Sequence, residues 1–453
     1  MICKVCSHCG LCPGDLPVEK EISVLTECGT ELFHTSNSFS PSDIGIALDI
    51  GTTTIALRTV SLFDGHHLCS FGEPNFQSKF GSDVVSRISF SLTPEGFEKL
   101  HDSICLQVSR MVVKAMQICQ SAFLAKRMGR VNFKRISVAG NTVMESLLAG
   151  FDVSGLAVWP FRIPESFGFS SNAKKYLGAY GFDQEDCEIY FAPVAGAFVG
   201  GDTVAAMVAA GFHLDDGKTK FLADIGTNCE MAVRNGITGE IHCTSTSAGP
   251  AFEGFGIECG SGAVEGSIVK VDMENERMVC SVIGGGKAKS IAGTGLVSAV
   301  SQFLKNGLID ATGAFTFTDE SSDRLVVSGS VYLTQNDIRN FQLAKASVCS
   351  GLKILCDKVA KVEIPEVYLA GGFGVSLDVG DSVSVGMIPE SLSHQVASLG
   401  NGSLAGATKF LVDDELRKKA LEIAKQSQVL DLAQYDGFQE KFVSSINFKK
   451  NVG

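Results

Sequence analysis

The sequence predicts an α/β fold built from two similar halves, each presenting a glycine turn at a strand end to a shared cleft, and three observations lead to it. Apolar strands such as IGIALDI, TIALRTV and RISVAG alternate with helical stretches, among them one around Phe97 to Met128, and such alternation is the mark of layered α/β structure. An internal echo is the second: GIALDIGTTTIALRTV is answered 175 residues later by KFLADIGTNCEMAVRNG, with Asp49 matching Asp224. The third is PEVYLAGGFGVS, where a strand runs into Gly371, Gly372 and Gly374.

Each copy of the echo reads as strand, tight glycine turn, strand. A hairpin turn met by chance seldom repeats a four-residue identity inside matching apolar flanks, so duplication is the better reading. Before the first copy, ELFHTSNSFSPSD lacks periodicity and reads as a linker. The expected organisation is a Cys-rich segment over 1–30, a linker over 31–43, subdomains over 44–215 and 216–410, and a C-terminal helix and tail over 411–453.

Composition bounds the rest. At 453 residues, 45% hydrophobic and 19% charged, the chain can bury a large core without covalent staples. A formal charge of -12 with no Lys/Arg cluster argues against a nucleic-acid partner, because phosphate binding depends on clustered cations releasing counterions. The N-terminus lacks the basic-then-apolar signal pattern and no run of 18 apolar residues exists, so a cytoplasmic protein without a membrane span is expected. The nearest candidate span, Val194 to Phe212, is Gly-rich, carries Asp202 and reads as a buried helix with its preceding turn.

The turns carry the chemistry. Glycine lets backbone approach a ligand closely, and the threonines after it offer N–H and hydroxyl donors, so Gly51, Thr52, Thr53 and Thr54 form one cradle for phosphate oxygens and Gly226, Thr227 and Asn228 another. Asp49 and Asp224 at the strand ends supply hard oxygens to a magnesium ion, usually through water. Two cradles about one metal describe a nucleoside triphosphate site, and the Gly-rich turn at 371–374 admits a flat ring or ribose. IGGGKAKS around Lys287 is not a P-loop, since it lacks the required spacing and Lys287 is not followed by Ser or Thr.

The order DIGTTT, DIGTN, AGGFG resembles the actin-like (ribonuclease H-like) ATPase superfamily, whose phosphate and adenosine motifs run in that sequence. GGDTVAAMVAAG resembles its first connecting helix, and Asp202 is then the candidate to order the attacking water or the magnesium shell; a helix N-cap is the alternative. VAGNTVMESLLAG, WPFRIP, SAGPAFEGFGIECGSGAVEG, AGTGLVSAVSQFLKNGLID and QLAKASVCSGLKIL narrow this further. From Ile44 to about Phe448 the chain is similar to the ATPase domain of the reductive activators of corrinoid-dependent proteins. That resemblance implies ATP-dependent reduction of an inactive Co(II) corrinoid to Co(I), a corrinoid protein of a methyltransferase system as partner, and a low-potential electron donor. It leaves a homodimer open. Cys229 stands where the family is expected to have Gly, which would make the second turn less permissive, and Asn141 and Thr142 read as a helix N-terminus.

The first forty residues depart from the family, whose members commonly carry a [2Fe-2S] domain. Here Cys3, Cys6, Cys9 and Cys12 follow C-x2-C-x2-C-x2-C-P, one residue short of the bacterial [4Fe-4S] run. A structural zinc site would need a spacer between Cys6 and Cys9, so an iron-sulfur cluster is the expected group, with Cys28 or His8 as an alternative fourth ligand. The other eleven of the 15 cysteines lie in apolar segments and read as reduced core residues. The competing functions are a small-metabolite kinase, which gives the thiols no role, and an ATP-gated sensor or chaperone with a structural metal. Activators of acyl-CoA dehydratases also couple ATP to electron delivery, but the motifs and length fit that group poorly.

Overall fold

A computed structural model describes residues 39–125, 129–275, 277–316, 323–359, 364–372 and 377–448. The described residues divide into two compact units, one formed by those up to Leu214 together with Asn401–Val429, the other by those from Asp215 to Gly400 together with those from Leu430 onward. The C-terminal stretch is thus shared between the units, where the sequence suggested a second half ending at 410 and a separate tail.

In the first unit, strands β1 (Asp43–Ile50), β2 (Thr54–Ser61), β3 (His67–Pro74), β4 (Asn132–Gly140), β5 (Phe169–Asn172) and β6 (Glu188–Phe191) form one sheet in the order β3-β2-β1-β4-β6-β5. β1 is antiparallel to β2 and parallel to β4. Both faces of β1 are covered, which is why the stretch from Ile44 to Leu48 carries no polar side chain instead of alternating. Ile44, Ile46, Leu48 and Ile50 pack with Leu100, Ile104, Val108 and Met111 from the helix Pro94–Ala125, whose apolar residues recur at helical spacing. That helix begins earlier than Phe97 because Pro94 suits a first turn and the Thr93 hydroxyl accepts the Gly96 amide at 3.1 Å.

On the other face lie the helices Gly201–Ala209 and Gly402–Val412. They cross at backbone distance: a Cβ on Gly406 would stand 2.0 Å from the Ala205 carbonyl oxygen, so only glycine permits the crossing. The stretch Val194–Phe212 is therefore a turn and a short buried helix, and among the described residues no helix is long and apolar enough to cross a membrane.

The second unit repeats the pattern. β7 (Lys220–Ile225) is antiparallel to β8 (Asn228–Arg234), which is antiparallel to β9 (Ile241–Ser247). On its other side β7 is parallel to Glu366–Ala370, itself parallel to Gln395–Gly400. A smaller sheet (Ser267–Glu274, Arg277–Val282, Ser290–Ile291) and the helices Gly293–Lys305 and Gln335–Asp357 complete the core. Gly284, Gly285 and Gly286 are all at positive φ in a connection between strands of that smaller sheet, a different setting from a P-loop, which opens a helix. The segment AGTGL places Gly295 where a Cβ would lie 2.2 Å from the Ile268 carbonyl, so it seats the helix against the sheet.

Candidate active site

Equivalent registers carry the two aspartates. Asp49 faces Ala56 on β2 and Ala139 on β4, while Asp224 faces Glu230 on β8 and Ala370 on the parallel strand. In each case the parallel strand runs on into a glycine beside the turn: a Cβ on Gly140 would lie 2.9 Å from the Ile50 carbonyl, and one on Gly371 would lie 2.7 Å from both Asp224 Oδ1 and the Ile225 carbonyl. Gly371 also has φ 88°, which a side chain disfavours. VAGN and LAGG thus form a second internal echo that the sequence reading passed over.

The first turn is closed by the Gly51 amide donating to the Thr54 carbonyl at 3.0 Å. Its carbonyl edge is tied inward: Gly51 O accepts from Asn75 Nδ2 at 2.9 Å, Thr52 O from Arg87 Nη2 at 2.6 Å, and Thr53 O from the Asn75 amide at 2.8 Å. Such a turn offers its N–H edge to an anion. Arg87 is wholly buried beneath it; burial lowers its pKa only to about 10, so the cation persists at neutral pH and favours phosphate. Asn75 and Arg87 carry no local sequence signal for this role.

Asp49 is held at both oxygens, by Asn401 Nδ2 at 2.7 Å and Ser403 Oγ at 2.8 Å, residues more than 350 positions away. Burial raises its pKa against the pull of those two bonds. Asn401 also caps its own helix, accepting from the Leu404 amide at 2.7 Å, which fixes the side chain that grips Asp49. Asp202 belongs to the same unit. It is not an N-cap, because Gly200 occupies that position and Asp202 lies inside the first turn, accepting from the Thr203 amide at 2.6 Å. Burial and then repulsion from Asp49 push its pKa up to about 6. Glu145, fully buried, is driven well above the carboxylate range by burial, with Asp202 adding to the effect. Asn141 caps the helix Thr142–Ala149 by accepting from the Val143 amide at 3.0 Å, as its sequence suggested.

The second turn is one residue shorter: the Gly226 amide donates to Asn228 O at 3.0 Å, with Ile225 paired to Cys229 where Ile50 pairs to Ile55. Cys229 is therefore a strand residue with a buried side chain, not a member of the turn, and its replacing Gly leaves the turn's freedom untouched. The loop after β9 grips Thr227 from both sides, as the Gly249 amide donates to Thr227 O at 3.0 Å and the Thr227 amide donates to Glu253 Oε1 at 2.9 Å. This gives the segment SAGPAFEG a place in the site.

Gly372 is exposed just beyond Gly371, while Gly374 lies outside the described residues, as do Cys3, Cys6, Cys9, Cys12, Cys28 and His8. Among the described residues no three His, Cys, Asp or Glu side chains converge as a ready metal cage. Asp49 and Asp202 nonetheless offer the hard oxygens that a hydrated magnesium ion takes. The ten described cysteines are thiols rather than disulfides, and seven of them are buried, as core thiols are expected to be.

Comparison with known proteins bears on both units. A family model for the C-terminal domain of RACo, the ASKHA domain, matches residues 218–452, and one for the RACo middle region matches 44–215. The corrinoid activation enzyme RamQ of Eubacterium limosum is 29% identical, covering 93% of this chain and 73% of its own. A [Co(II) methylated amine-specific corrinoid protein] reductase of Methanosarcina barkeri is 26% identical, covering 84% and 72%. Among solved structures, a reductive activator for corrinoid, iron-sulfur protein superposes with a TM-score of 0.77 at 28% identity, covering 92% of this chain and 67% of that one. With its duplicated actin-like ATPase fold and both family regions in order, the chain belongs to the RACo family of reductive activators of corrinoid proteins.

Proposed function

We propose that this protein uses ATP to return corrinoid proteins from inactive Co(II) to Co(I), the nucleophile needed for methyl transfer. The observation that carries the reading is the repeated Asp-Ile-Gly-Thr turn, set at matching registers of two like sheets, in a chain of this family. Co(I) formation lies at very low potential. For one electron about 59 mV corresponds to ~1.4 kcal/mol, so a shortfall of a few hundred millivolts needs several kcal/mol from another source. ATP supplies it only by binding two conformations of the activator and corrinoid-protein complex unequally.

In this reading the N–H edge of the first turn, backed by Arg87, receives phosphate oxygens. Asp49, clamped by Asn401 and Ser403, and Asp202 hold the water shell of a magnesium ion. Asp224 and the second turn supply the second set of phosphate-directed groups. The thiols of Cys3, Cys6, Cys9 and Cys12 have the softness and spacing of an iron-sulfur donor set, and a cluster bound there supplies one-electron transfer. The partners are a corrinoid protein and a low-potential electron donor, and the setting is the cytoplasm.

The test is to supply reductant and a candidate Co(II) corrinoid protein anaerobically and compare wild type with Asp49→Asn and Asp224→Asn. Loss of ATP-dependent reduction in both variants is expected. Reduction at the wild-type rate in either would contradict the assignment. Iron, sulfide and paramagnetic resonance measurements check the cluster, and zinc without iron would end that part of the reading.

A further inference from the structure

The two turns are built alike but are lined by opposite chemistry. Around the first, the side chains are donors: Asn75 and Arg87 bind its carbonyls and leave its amide edge for an anion. At the second, the Thr227 amide is already engaged by the carboxylate of Glu253. The same oxygen would lie only 3.5 Å from a Cβ on Gly226, so the carboxylate sits across the turn itself. A phosphate oxygen cannot share that spot without like-charge repulsion. A water can, donating to the carboxylate while turning a lone pair toward phosphorus.

Glu253 is held there by its loop. Gly249 and Gly254 adopt φ 74° and 86°, and a Cβ on Gly254 would overlap the Ser261 backbone at 2.4 Å. Between them Ala251 and Phe252 are buried, with Phe252 edge-on to Phe341 at 6.1 Å. The Gly249 amide holds Thr227 O from the other side. Glu253 itself stays half-buried, with Oε1 fixed by the amide, and among the described residues it forms no ion pair that would neutralise it.

We propose that Glu253 is a catalytic residue of ATP hydrolysis, its Oε2 orienting the attacking water and taking its proton. In that step the water oxygen bonds to the terminal phosphorus and the bond from phosphorus to the bridging oxygen breaks. ADP leaves with the electron pair, and the proton passes from Oε2 to solvent. The proposal rests on the ATPase reading above and names the residue that performs the cleavage.

The experiment uses the full-length protein with ATP, magnesium and a corrinoid protein, and measures hydrolysis and binding of a fluorescent ATP analogue separately for wild type and Glu253→Gln. Glutamine keeps an oxygen to accept the Thr227 amide but cannot take a proton, so a purely structural clamp would survive the change. The expected result is a kcat lower by about 10²-fold, within the usual range for a general base, with analogue affinity within about threefold of wild type. Wild-type kcat in Glu253→Gln, or loss of analogue binding with it, overturns the proposal. Absence of hydrolysis in the wild type itself would instead remove the ATPase reading on which the proposal depends. Glu253→Ala, tested beside it, is expected to lose kcat at least as severely as Glu253→Gln; activity restored toward wild type by alanine would also overturn the proposal.

Discussion

At the scale of single residues the site is a place where acids are kept against their preference. Asp202 has a pKa pushed up to about 6 by burial and by Asp49, so the folded state binds its proton more tightly than the unfolded chain does. The sign follows: this group costs no stability below the unfolded value near 4, and costs progressively more as pH rises through about 6. Asp202→Asn is therefore expected to stabilise the metal-free, nucleotide-free protein by about 2–3 kcal/mol at pH 7, with the gain vanishing near pH 4. Denaturant titrations at the two pH values check it, and destabilisation at pH 7 would contradict it. The same variant is expected to lose ATP-dependent activity, the usual opposition between stability and function at a strained site.

Arg87 gives a second residue-scale expectation. Its guanidinium bonds the Thr52 and Gly81 carbonyls and Gln77 from a fully buried position. Replacing it with Met keeps bulk but removes charge-assisted bonds worth about 1.5–3 kcal/mol each. A loss of at least tenfold in nucleotide affinity is expected by calorimetry, and unchanged affinity would show that the first turn does not depend on its buried cation.

At the scale of elements, the sheet positions the chemistry only because its helices come close. The contact of Gly406 with Ala205 sets the crossing of two helices, and the C-terminal one of these carries Asn401 and Ser403 to Asp49. Gly406→Val must push the helices apart, at a cost of ~3 kcal/mol or more, and is expected to weaken nucleotide binding through a residue that touches no ligand. Thermal unfolding and nucleotide titration measure the two effects together. Normal stability in this variant would mean that the crossing relaxes freely.

What was legible at this scale follows from where information sits in the chain. The Asp-Ile-Gly-Thr hairpins were readable because turn chemistry and flanking strands are contiguous. The clamp of Asn401 and Ser403 on Asp49 was not, since it spans more than 350 residues and looks locally like an ordinary helix cap. Arg87 reads as a surface cation in an amphipathic stretch until the turn is folded over it. Cys229 was misjudged by counting along the chain; the shorter second turn places it in the strand. Asp202, open between two roles, loses the capping role because Gly200, two residues earlier, is the N-cap of a helix that begins at Gly201.

At the scale of the whole molecule, duplication explains why one chain holds two turns of the same construction with different linings. Their common topology, a central strand between an antiparallel hairpin and a parallel partner, came from an echo in sequence. Their divergence, donors about the first turn and a carboxylate on the second, arises from residues distant in the chain that only the fold brings to each turn. The N-terminal thiols remain a sequence-level expectation, whose value lies in linking an ATPase to electron delivery. The most direct test of the central claim is the absorption band of Co(I) in a candidate corrinoid protein, followed anaerobically with this protein and reductant, with and without ATP. The band is expected to grow only when ATP is present; growth at the same rate and to the same extent without ATP would contradict ATP-dependent activation.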